Sequence, residues 1–151
     1  MKKYRPRNTK WRVDSATRAK NLKRVSTFGP EKFENYQDYF FFVHIDPIQR
    51  FWHSMGMIVG IFFFIMLFYS WSLWSFLFYV LGVFFFYGIG VLSHAYYDGH
   101  SGKSEIKYFH ITTPTVIKIN LLTLTGLYQN YLNGFIQKYP FTVEAFDLEG
   151  K

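Results

Sequence analysis

The chain reads as an all-α protein: an integral-membrane helical hairpin flanked by amphipathic helices. Three observations predict this. From Phe51 to Tyr97 there is no Asp, Glu, Lys or Arg. Half of the 151 residues are hydrophobic and 35 are aromatic (19 Phe, 12 Tyr, 4 Trp), yet the mean hydropathy is zero, so apolar and polar residues are segregated along the chain. The charge is segregated too. Residues 1–30 hold ten Lys/Arg against one acid, Asp14, while the other 121 residues hold seven bases and nine acids. A chain this short lacks the mass to bury so apolar a hairpin on all sides, which argues for lipid around it.

Taken in order, residues 1–30 read as a basic, flexible arm, polar and broken by Pro6 and Pro30. The first long apolar run starts near residue 54, too late for a secretory signal peptide. Next, Phe33, Tyr36, Phe40 and Val43 recur at helical spacing, which predicts a short amphipathic helix after Pro30. Pro47 should interrupt it, and Asp46 is placed to cap the helix that follows. About twenty residues cross a hydrocarbon core about 30 Å thick. The charge-free stretch therefore divides into span one, residues 54–70, and span two, residues 72–93. The polar break Ser70-Trp71-Ser72 is the turn, with Trp71 and Trp74 suited to an interfacial belt. Residues 99–107 form a polar loop. Residues 115–137 again show helical spacing, but with Asn120, Gln129, Asn130 and Asn133 along them, which fits an interfacial or partly inserted helix or a third span. Residues 31–138 thus form the membrane-embedded domain, and 139–151 an acidic tail expected to fray.

The ten bases of the arm place it on the cytoplasmic side by the positive-inside rule, in a bacterial inner membrane or the endoplasmic reticulum. Aromatic residues in the arm, Tyr4 and Trp11, are too sparse for a nucleic-acid surface. The absence of cysteine excludes a disulfide scaffold, a thiolate metal site and a thiol nucleophile. No Gly-rich phosphate loop is present, and no serine sits in a nucleophile elbow.

The histidines carry the remaining chemistry. His44 and His53 flank the entry to span one, His94 closes span two, and His100 and His110 lie in and after the loop behind it. A hairpin returns both of its ends to one side of the bilayer, so His53 and His94 can be neighbours. His94 and Asp98 are spaced i, i+4 and share a helix face. Ionisable groups at the end of a span read as functional by default. Imidazole with carboxylate suits iron, zinc or manganese. Five histidines are too few for the paired boxes of a di-iron hydroxylase, so one metal ion is the most the chain can hold.

The segment Tyr39-x4-His44-x2-Pro47-x2-Arg50-x2-His53-x2-Gly56 resembles the first signature of a family of small membrane 2-hydroxy fatty acid dioxygenases. Gly88-x4-Ser93-His94-x3-Asp98 is similar to the second, with Ser93 and Asp98 where the family has Gly and Glu. The likeness extends over roughly residues 33–130. It implies an Fe2+-dependent enzyme that uses O2 to shorten a 2-hydroxy fatty acid by one carbon, in alpha-oxidation. It also implies His44, His53 and His94 as metal ligands, with Asp98 either a fourth ligand or a partner that orients an imidazole. Arg50 would hold the substrate carboxylate or serve only as a juxtamembrane anchor. The alternative from another class is a non-enzymatic membrane adaptor or lipid-binding protein, anchored by the hairpin and touching lipid through its basic arm.

Overall fold

The structure, a computed structural model, describes residues 3–6, 10–70, 72–99 and 107–150. It is all-α apart from two three-residue strands. In chain order come β1 (Tyr4–Pro6), α1 (Ser15–Thr27), a single 3₁₀ turn (Pro30–Lys32), α2 (Tyr36–Val43), α3 (Pro47–Tyr69), α4 (Trp74–Tyr97), α5 (Phe109–Leu124), α6 (Tyr128–Lys138), α7 (Thr142–Ala145) and β2 (Leu148–Gly150). Trp71 and His100 lie outside the described residues.

Two helices are long and apolar enough to cross a membrane: α3 with 23 residues and α4 with 24. At 1.5 Å per residue each is about 35 Å long. Only 22% and 11% of their most apolar stretches are buried, so they are not core helices of the ordinary kind. Asp46 caps α3, its carboxylate accepting the Ile48 N–H at 2.8 Å, and Pro47 takes the first helical position, where its missing donor costs nothing. The hairpin closes on glycine. A Cβ on Gly56 would sit 2.6 Å from the Phe85 carbonyl oxygen, and one on Gly60 would sit 2.8 Å from the Phe86 backbone nitrogen. This small-x3-small pair lets the two backbones touch, as packed membrane helices require. Opposite it, α4 widens into a π-helical segment over Phe84–Gly88.

The remaining elements fold into an aromatic cap over one end of the hairpin. Asn35 caps α2 by accepting the Asp38 N–H at 2.9 Å. The sequence pattern makes α2 amphipathic, but Tyr39 through Val43 are all buried. Phe41 packs on Phe135 and Tyr131, each at 4.7 Å, and Phe42 packs on Phe33 at 5.1 Å and Phe146 at 5.0 Å. Neighbours surround α2 on every side from Asp38 to Val43, which its own periodicity does not reveal. Residues 115–137 are two helices rather than one. Gly126 takes φ +75°, the left-handed conformation that ends a helix, and the chain reverses there into α6. The α5 helix also begins earlier than the pattern suggests, at Phe109.

The arm and the tail also differ from the sequence expectation. Asp14 caps α1, its carboxylate accepting the Thr17 N–H at 2.7 Å. The Arg18 side chain donates to the Ala95 carbonyl and Asn21 to the Tyr97 carbonyl, which ties α1 to the end of α4. Val25 enters the core and Arg24 stacks on Phe146. The tail pairs with the arm: β1 and β2 are antiparallel, with Arg5 opposite Glu149. The Gln129 side-chain amide brackets Tyr4, accepting its N–H and donating to its carbonyl, both at 3.1 Å. Long-range partners order a segment that composition alone marks as solvated.

Candidate metal centre

Three histidines meet where the cap joins the hairpin. His44 is the residue that ends α2, because Pro47 three residues on disfavours further helix. His53 lies in the second turn of α3, and His94 lies in the last turn of α4. Their relative exposures are 0%, 8% and 1%. The Nε2 atoms form a nearly equilateral triangle: His44 to His53 3.0 Å, His53 to His94 3.2 Å and His94 to His44 3.2 Å. Gly90 makes room for one corner. A Cβ there would lie 2.3 Å from the His53 Cε1, so the imidazole rests directly on the α4 backbone.

The partners of the other ring nitrogens assign the tautomers. His44 Nδ1 lies 2.6 Å from the Phe40 carbonyl oxygen and must carry the proton. His94 Nδ1 lies 3.1 Å from Asp98 Oδ2 and donates to that carboxylate. Both rings therefore turn Nε2 lone pairs toward the centre. His53 can supply one N–H to one of them, which leaves lone pair facing lone pair on another edge. A cation at the centre removes this repulsion. Burial, and then the charge of His94, push the His44 pKa down to about 3, so a proton is a poor cation for this place. A metal ion fits. The three nitrogens are close enough together for one ion to reach all of them at about 2.0–2.1 Å, the ordinary metal–imidazole distance. The buried His44/His53/His94 cluster is thus a site that can hold one metal ion.

Asp98 stands behind the ligand triangle rather than in it. Its Oδ2 faces the outer nitrogen of His94 and also accepts 2.7 Å from Gln49 Nε2. This is the arrangement in which a carboxylate orients a metal-binding imidazole. Gln49 enters the sequence motif only as a residue near Arg50. It lies four residues before His53, on the same face of α3, and that spacing is the signal that points to it. The Phe40 carbonyl carries no sequence signal, since any residue has one.

Arg50 has partners elsewhere. One guanidinium nitrogen donates to the His44 and Ile45 carbonyls at 3.2 and 2.5 Å, and the group lies 3.8 Å over the Tyr128 ring. It closes the C-terminal end of α2, where a cation is favourable. His110 is exposed near the start of α5, beside Phe109, and is not part of the cluster.

One further feature touches the site. A cavity of about 360 Å³ lies between α4 and α5, lined chiefly by apolar side chains, with His53 and Phe40 in its wall. Comparison with family models, curated proteins and solved structures finds no match to this chain.

Proposed function

We propose that the protein is a membrane dioxygenase that binds Fe2+ at His44, His53 and His94 and oxidises 2-hydroxy fatty acids. The observation that carries this is the triangle of buried Nε2 lone pairs, which a passive anchor has no use for. The resemblance of the motifs around these histidines supplies the choice of iron and of substrate.

Bound Fe2+ would supply the activation of O2 and the acceptor for the hydroxy acid's oxygens. The chain's own residues do the rest. Phe40 and Asp98 hold the His44 and His94 rings in the tautomer that leaves Nε2 unprotonated. Gln49 donates to Asp98 and keeps its carboxylate turned to His94. The packed cap excludes water from one side of the imidazoles. Arg50 is committed to the end of α2 and the Tyr128 ring, so an anchoring role fits it better than the carboxylate role. The overall reaction balances without a further reductant: a 2-hydroxy acid and O2 give the acid one carbon shorter, carbon dioxide and water. The carbinol carbon becomes the new carboxyl, the old carboxyl leaves as carbon dioxide, and O2 takes up all the electrons.

In the same reading α3 and α4 cross the membrane as a hairpin, with the cap on the cytoplasmic side. The bases of α1 and its flanks favour that side. Cysteines placed at Ser26 and at Ser72 should label from opposite sides of sealed vesicles. Labelling from the same side would remove the hairpin topology.

The test of function is elemental analysis of detergent-purified protein, followed by incubation with 2-hydroxypalmitate under air and under argon. The expected result is about one iron per chain and an oxygen-dependent acid one carbon shorter. Iron-free protein with full stability would favour the adaptor. Another bound metal with no turnover would remove the dioxygenase.

A further inference from the structure

We propose that the cavity between α4 and α5 holds a single alkyl chain, with its polar head at His53 and its tail running toward Val83. This deepens the reading above and rests on it for the identity of the head group. The assignment of the chain rests on the cavity.

The direction follows from the helix register. The His53 ring lies on Gly90, so it stands level with Val91 on α4. Val83 lies eight residues earlier, about 12 Å further along α4 toward the hairpin turn. On the α5 side, Asn120 accepts from the Ser54 hydroxyl, so Val116, about one turn before it, lies near the level of His53 and walls the cavity there. Val83 is thus the deep end, within the hydrocarbon, and His53 is at the shallow end. No Lys or Arg lines the cavity, so an anionic head finds no partner at the deep end. Among the described residues, the one strongly coordinating group that lines the cavity is the His53 imidazole of the candidate metal site.

The cavity also opens sideways to lipid. Tyr87 and Phe109 in its wall are 45% and 61% exposed, and Thr113 reaches across to the Tyr87 hydroxyl at 3.5 Å. A chain can therefore slide in between α4 and α5 without its methylenes leaving an apolar environment. A volume of about 360 Å³ lies within the usual range for small-ligand sites, about 300–1,000 Å³. The occupant is an alkyl chain because the space is lined chiefly by apolar side chains, reaches from His53 to Val83 and is open to lipid at its side.

The test is photolabelling of the metal-loaded full chain in detergent with palmitic acid that carries a mid-chain diazirine. Labels should fall on residues 83–91 and 109–116 and be competed by unlabelled 2-hydroxypalmitate. Val83→Trp fills the deep end and Val116→Trp the side wall, and each should cut labelling about tenfold, the effect of losing two or so buried methylenes. Leu121→Trp, on the exposed face of α5, should leave it unchanged. Metal content reports whether each variant is folded. Labels spread along the lipid face of α3, or labelling indifferent to both cavity tryptophans, would overturn the assignment. Cavity labelling without any oxidation of the hydroxy acid would leave the cavity standing and remove the reaction. Oxidation without cavity labelling would do the reverse.

Discussion

Phenylalanine has opposite fates in the two halves of this molecule. In the cap, Phe41 and Phe42 are 1% and 0% exposed, ringed by other aromatic side chains. In the hairpin, Phe62, Phe68 and Phe76 are 56%, 73% and 71% exposed. The same side chain is thus an internal packing unit in one region and an outer surface in the other. The difference lies in the surroundings each region is built for. In water a large apolar face must find protein partners, so α2 is wrapped by α5, α6 and the chain ends. In hydrocarbon such a face would gain little from protein partners, and α3 and α4, apolar enough to cross a membrane, make contact through glycines. The histidine triangle lies on the seam, with one ligand from the cap and two from the hairpin.

The largest expected effect tests that seam. His44→Ala, His53→Ala and His94→Ala should each abolish tight metal binding, measured as metal per chain after gel filtration. All three should remain in the membrane fraction, because insertion depends on the apolar spans. Full metal retention in two of the three would show that the two regions do not share one centre.

Next comes the cap's packing. Phe42→Ala should cost about 3–5 kcal/mol, because it empties a fully enclosed site. Phe68→Ala, on the exposed flank of the hairpin, should stay within about 0.5 kcal/mol. Unfolding of the two variants in detergent measures the contrast, and equal losses would break it. Removal of residues 1–32 belongs with the larger effect. The sequence alone suggests that a chain starting at Phe33 keeps its fold and its metal. With Val25 in the core and α1 bonded to the Ala95 and Tyr97 carbonyls, that truncation should lower the melting temperature and weaken the site.

Smaller still is the effect behind the ligands. Asp98→Asn should weaken metal affinity by about 10–100-fold without abolishing it, as loss of a carboxylate that orients an imidazole does. Competition with a chelator reads this out. Outright loss would make Asp98 a ligand. Gln49→Leu removes the bond that holds the carboxylate in place and should weaken affinity in the same direction, by less.

The sequence by itself determined the hairpin. A run of 47 residues without charge makes two helices long and apolar enough to cross a membrane, and the polar Ser70–Ser72 break and the Asp46-Pro47 cap set their limits from local chemistry. It also determined that His53 and His94, at the two ends of the hairpin, can be neighbours, since a hairpin returns its ends to the same side. Which histidines meet was decided by the tertiary fold alone. His44, His53 and His94 come together while His110 stays outside, because the placement of α2 and α5 is set by contacts distant in sequence. The same holds for the roles of Asp98 and Arg50. Spacing puts Asp98 on the His94 face, but which ring nitrogen it reaches depends on the rotamer and on Gln49 from another helix. Arg50 sits within a histidine motif, yet its fork turns to the carbonyls that end α2. The arm and tail were the least legible. Their order comes from a two-stranded pairing between residues 4–6 and 148–150, and no local propensity records a partner more than 140 residues away.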